Sequence, residues 1–131
     1  MIIDTSAIMA ILLGEPDAEK YLSCLTSATN LTINAATLVE LYIVAKRRDV
    51  SKDLGSLLGE LGWETVAFEP DHVGLAIQAY TDYSSVLNFG DCFSYATAKH
   101  LNEPLLFKGN DFSQTDLRNA LSPDDGELPL Q

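Results

Sequence analysis

Three acidic residues stand alone in uncharged surroundings, and their isolation is the first chemical signal in the chain. Asp4 is the only charged residue before Glu15 and directly follows Met1-Ile2-Ile3. Glu40 is the only one between Lys20 and Lys46, and Asp91 the only one between Asp82 and Lys99. On a helix, the neighbours of Glu40 three and four positions away are Ala36, Thr37, Ile43 and Val44. Those of Asp91 are Leu87, Asn88, Ser94 and Tyr95, so neither acid has a local cation. An ionised carboxylate left unpaired in an apolar place costs several kcal/mol. Three of them brought together would repel until at least one was forced neutral. The stretch from Asp111 to Asp116 offers a fourth acid and more repulsion.

A hard divalent cation resolves the conflict. Mg²⁺ and Mn²⁺ prefer oxygen ligands, commonly a few carboxylates completed by waters and substrate phosphate. The chain presents no softer site to compete. Cys24 and Cys92 form no CxxC pair, and His72 and His100 fall in no motif. The thiols are expected as small core residues and the histidines at the surface. An all-carboxylate divalent site suits phosphoryl transfer, with water rather than a side chain as the nucleophile.

Such acids need elements to hold them. Met1 to Asp4 reads as a short buried strand, as do "LTIN" (31–34) and "PLLF" (104–107), with "WETVAF" (63–68) an alternating one. Thr5 or Ser6 is expected to cap a helix through about Leu13, closed by Gly14. A second helix follows over 17–27, and Asn34 caps a long one over 35–48. Residues 51–62 are helical in spacing, and Pro70 opens a helix to about Tyr83. Another runs from Asp91 to Leu101, with Asn88 or Gly90 near its start. Short strands alternating with helices predict an α/β domain with a mainly parallel sheet. Asp4 and the Asp111 loop fall at strand C-termini, where ligands bind in such folds.

The 131 residues suit one domain, expected over 1–121, followed by an acidic, flexible tail, "SPDDGELPLQ" (122–131). The formal charge of −11 argues against holding nucleic acid by bulk electrostatics. Phosphate would have to be met through metal or a local basic patch, for which Lys46, Arg47 and Arg48 are the candidates. No apolar run reaches the roughly 18 residues of a membrane span. The N-terminal apolar stretch has no basic flank and is interrupted by Asp4, so a mature cytoplasmic protein is expected. Apolar positions in 7–25 and 51–62 are candidates for a partner surface.

The segments "MIIDTSAIMAILLGEPDAEKY", "INAATLVEL" and "LNFGDCFSYATAKHLNEPLLFKGNDFSQTDL" resemble, in order and spacing, the PIN-domain ribonucleases, and most closely the VapC-type toxins of toxin–antitoxin pairs. The resemblance covers nearly the whole chain to about Leu121. It implies a PIN-like α/β/α sandwich and an Mg²⁺-dependent endoribonuclease, with Mn²⁺ a possible substitute. It further implies a homodimer neutralised by a cognate antitoxin. By position, Asp4, Glu40 and Asp91 match the first three family acids, with Asp4 and Asp91 the principal metal ligands. Asp111, ahead of Asp116, matches the fourth, and Ser6 the polar residue that orients the first. A catalytically silent PIN-like module that binds RNA or protein is the alternative. A haloacid-dehalogenase-type phosphatase would need an Asp where Ser6 stands.

Overall fold

The computed structural model describes residues 1–122, so the expected tail lies, apart from Ser122, outside the described residues. Four short strands form one sheet: β1 (Ile2–Ile3), β2 (Thr32–Asn34), β3 (Glu64–Val66) and β4 (Leu105–Leu106). Their spatial order is β3-β2-β1-β4 and every pairing is parallel. Ile2 lies opposite Thr32 on one side and Leu105 on the other, which puts β1 in the centre.

Among the described residues six α-helices cover the sheet: α1 (Thr5–Leu12), α2 (Ala18–Ser27), α3 (Ala35–Arg47), α4 (Ser51–Leu61), α5 (Pro70–Tyr83) and α6 (Phe89–Leu101). The period-two alternation of strands divides them between two layers. Ile3, Ile33 and Leu106 pack into a core with Ala7 and Ile8 of α1, Leu25 of α2, Leu41 of α3 and Leu54 of α4. Ile2 and Leu105 face the other way, onto Ala79 of α5 and Cys92, Tyr95 and Ala98 of α6. The result is the expected α/β/α sandwich.

Several local details differ from the sequence reading. Asp4, not Thr5 or Ser6, caps α1, because its own carboxylate accepts the Ser6 N–H at 3.1 Å. Asn34 caps α3 in the same way, accepting from Ala36 N–H at 2.8 Å. In both β1–α1 and β2–α3, therefore, an Asx side chain turns the chain directly from strand into helix. The alternating 63–68 run keeps only three strand residues, with Glu64 and Thr65 exposed, as befits a short, charged edge. His72 is buried rather than on the surface. Its Nδ1 accepts the Glu69 N–H at 2.9 Å in a capping box, and its ring packs against Phe68. Cys92 is buried, Cys24 is half-buried, and both are free thiols. Among the described residues no helix is long and apolar enough to cross a membrane.

Candidate active site

Asp4 sits where β1 becomes α1, 4% exposed, and both of its oxygens are held. Oδ2 accepts from the backbone N–H of Ser6 and, at 2.7 Å, from its hydroxyl. Oδ1 accepts from the hydroxyl of Ser94, on α6, at 2.6 Å. Ser6 Oγ in turn accepts the backbone N–H of Lys108, just after β4, at 2.9 Å. One carboxylate thus ties the ends of β1 and β4 to α6.

Glu40 projects from α3, and Thr5 Oγ1 donates to its Oε1 at 2.7 Å. Its other oxygen lies against the first turn of α6. A methyl group placed on Gly90 would stand 2.2 Å from Glu40 Oε2, so glycine is what lets Glu40 keep this position. Asp91, next in sequence, belongs to a capping box. Its N–H donates to Asn88 Oδ1 at 2.9 Å, and its Oδ2 accepts the Asn88 N–H at 3.0 Å. That box starts α6 two residues earlier than expected, at Phe89. Asp91 therefore stabilises a helix start and also faces the other acids.

Electrostatics tie the set together. The Asp91 carboxyl is pushed up to about 6. Burial is the largest cause, opposed by the Asn88 amide and reinforced by the charges of Asp4, Asp111 and Glu40. Among the described residues no basic side chain pairs with these four acids. Lys108, nearest by chain position, points its ammonium instead at Asp17 (2.9 Å) and Glu15 (3.3 Å). Nor do any three acid, thiol or imidazole groups among the described residues converge enough to enclose an ion as they stand. The donor set is all oxygen, pre-oriented and short of positive charge, which fits Mg²⁺ or Mn²⁺.

The remaining candidates separate. Asp111 is exposed at the start of a short 3-10 helix (Phe112–Gln114), and its charge is felt at Asp91. Asp116 is engaged elsewhere, by Lys99 Nζ at 2.8 Å and Tyr95 Oη at 2.7 Å. Partial burial pushes its carboxyl up, but these two partners outweigh that and hold it below the ordinary range. Lys46, Arg47 and Arg48 are exposed at the end of α3. Arg47 lines a groove of about 530 Å³ with Glu40, Val39, Ile43, Phe89 and Phe93.

Thr5, Ser94 and Gly90 carry no expected role in the site from sequence. The one available hint was Ser94, a polar residue three positions after Asp91 and on the same helix face. The contacts themselves join residues 35 and 90 positions apart, which no local pattern reports.

Residues 1–117 match the family described as PIN domain. The chain is 41% identical over 129 residues to ribonuclease VapC42 of Mycobacterium tuberculosis, spanning 92% of this chain and 98% of that protein. It is 42% identical over 130 residues to ribonuclease VapC28 of the same organism, again over 92% and 98%. Its fold is similar to that of Mycobacterium tuberculosis VapC20, described as a sarcin–ricin loop cleaving toxin. The TM-score is 0.74 at 15% identity, over 88% of this chain and 95% of that one. A chain of a toxin–antitoxin complex from Klebsiella pneumoniae gives 0.70 at 18%, over 88% and 92%.

Proposed function

The chain belongs to the PIN-domain family, and from that membership we propose that it is an Mg²⁺-dependent endoribonuclease toxin of the VapC type, cytoplasmic and neutralised by a cognate antitoxin. The observation that carries this reading is that the charges of Asp4, Glu40 and Asp111 all act on the Asp91 carboxyl, while among the described residues no basic side chain pairs with any of the four. The named activity of the relatives supplies the substrate class, RNA. The toxin–antitoxin complex of similar fold prompts the antitoxin.

Asp4 and Asp91 would hold the metal, with Glu40 and Asp111 beside them. When bound, Mg²⁺ activates water and stabilises the departing oxygen of a phosphodiester. The protein contributes order. Ser6 and Ser94 lock both oxygens of Asp4, and Asn88 fixes Asp91, so neither carboxylate must reorganise when substrate arrives. Thr5 occupies Glu40 Oε1 and leaves Oε2 to orient the attacking water and accept its proton. Arg47, two helical turns after Glu40, is placed to meet the RNA backbone, with Lys46 and Arg48 beside it. The purified protein should cut RNA with Mg²⁺ or Mn²⁺ and stop with excess chelator. Cleavage that persists with chelator, or none with either ion, would overturn the assignment. RNA binding that persists without metal in an uncleaving protein would instead favour the silent module.

The reading includes a homodimer, and the exposed apolar side chains that would form its surface lie mostly outside 7–25 and 51–62. Most apolar side chains of 7–25 and 51–62 are packed into or against the core; only Leu22 among them is a large exposed one. The other large exposed apolar residues are Val39, Tyr42 and Ile43 on α3, Val73, Ile77 and Tyr80 on α5, and Leu101 and Phe89 on α6, the last at 76% exposure. α5 carries no Lys or Arg, and its His72 is buried, which suits a protein partner better than phosphate. Sedimentation should give twice the mass of one chain; a monomer at micromolar concentration would refute this face as a self-association site.

A further inference from the structure

Asp116 is one of the two acids that the sequence offers as fourth member of the set, and its surroundings assign it different work. Tyr95 Oη donates to its Oδ1 at 2.7 Å, and Tyr83 Oη stands 3.5 Å from the same oxygen. Lys99 Nζ donates to Oδ2 at 2.8 Å, so both oxygens are engaged and the charge is already matched. Tyr95 and Lys99 lie one and two turns beyond Asp91 on α6, roughly 6 and 12 Å along the helix axis. The carboxylate is therefore anchored well down the helix from the acid set.

What this anchor restrains is the segment between β4 and Asp116. Its near end is fixed by β4 and by the backbone bond from Lys108 to Ser6. Phe112 is buried against Phe107, and Thr115 Oγ1 donates to Phe112 O while accepting Leu117 N–H. Asp111 stands between these fixed points, exposed, and its charge acts on Asp91. Repulsion would drive the segment outward, and Asp116 is its polar attachment to α6 on the far side of Asp111, beside the apolar packing of Phe112 and Leu117. We infer that Asp116 is a positioning residue: through Lys99 and Tyr95 it fastens the Asp111 segment to the helix bearing Asp91, and so sets the separation of those two carboxylates. This rests on reading Asp91 and Asp111 as members of the metal site.

Three variants test it: Asp116→Ala, Lys99→Met and the pair combined, with Lys99→Arg as the conservative control. Backbone hydrogen exchange, Mn²⁺ binding by calorimetry and the Mg²⁺ dependence of RNA cleavage are measured on each. Asp116→Ala and Lys99→Met should each speed exchange at Gln114 and Thr115. Each should weaken Mn²⁺ binding and raise the Mg²⁺ needed for half-maximal rate by about tenfold, with the rate largely recovered at saturating Mg²⁺. The combined variant should be no worse than Asp116→Ala alone, because both changes break one link. Lys99→Arg should stay near wild type. The inference is overturned if Asp116→Ala abolishes Mn²⁺ binding and cleavage at all Mg²⁺ concentrations while Lys99→Met is neutral, since Asp116 would then be a metal ligand. It is equally overturned if exchange is unchanged in both single variants. Failure of the ribonuclease reading shows in the wild type alone, as absence of Mn²⁺ binding and cleavage, while exchange still decides whether the link restrains the segment.

Discussion

Asp91→Asn should abolish Mg²⁺-dependent RNA cleavage and, with metal removed, give a protein more stable than the wild type. The two effects have one origin. The wild-type carboxyl, pushed up to about 6 by burial and by Asp4, Asp111 and Glu40 against the pull of the Asn88 amide, is ionised at neutral pH at an energetic cost. In the unfolded chain the same group releases its proton near 3.8. Because the folded value is the higher one, the group's contribution to stability is fully present below about pH 4 and lost as pH rises through about 6. Two units correspond to about 3 kcal/mol; the group is only half-buried, and solvent screening reduces this to about 1 kcal/mol.

Asparagine removes the charge and retains an oxygen for the Asn88 N–H, so the capping box survives. Thermal denaturation in chelator should show the variant more stable at pH 7.5 and level with the wild type below pH 4. Comparing the two proteins at each pH cancels the titration of the other acids. Added Mg²⁺ should reverse the order at pH 7.5, stabilising the wild type by mass action and leaving the variant unmoved. Cleavage should fall by at least about 100-fold, since the metal's several kcal/mol of transition-state stabilisation is lost at 1.36 kcal/mol per factor of ten. An active variant would remove Asp91 from the site, and a stability gap that ignores pH would refute the electrostatic account.

Much of this arrangement could be read before any coordinates, for physical reasons that can be named. Ile2 and Ile3 are apolar on both faces of the chain, as a central strand demands, and Asp4 immediately after them marks where the sheet ends. Asn34 and Pro70 punctuate their helices through local chemistry and were read correctly. The cap of α1 was misread because Thr5, Ser6 and Asp4 are all good caps; the choice fell to tertiary structure, which commits Thr5 to Glu40 and Ser6 to Lys108. The exposed apolar positions were misplaced for a related reason. α3 carries apolar residues all round, and periodicity cannot tell Leu41, which meets the sheet, from Val39, which stays exposed. His72 is buried by Phe68 and the Glu69 capping box, neither of which its own spacing announces. Ser94 and Gly90 belong to the same class: their significance depends wholly on what arrives from α1 and α3.

Gly90→Ala follows from that last point and should separate activity from stability. The added methyl would stand 2.2 Å from Glu40 Oε2 and 3.1 Å from its Cδ, contacts that no folded protein sustains. Gly90 has a negative φ inside α6, so the backbone itself accepts alanine. Alanine there gains up to about 1 kcal/mol of helix propensity. The group that must give way is the end of a flexible side chain, and turning it breaks the hydrogen bond from Thr5, a loss of about 1 kcal/mol. These terms nearly cancel, so urea denaturation should place the variant within about 1 kcal/mol of wild type. Activity has no such compensation. Glu40 is moved off the position from which it faces Asp91, and a misplacement of about 1 Å at a reacting centre costs on the order of 100-fold. Glu40→Gln, which removes the carboxylate without displacing the side chain, should lose cleavage to a similar degree, and the double variant should be no worse than either. A Gly90→Ala protein that cuts RNA at the wild-type rate would show that Glu40 can leave its place without consequence, and would take it out of the chemistry.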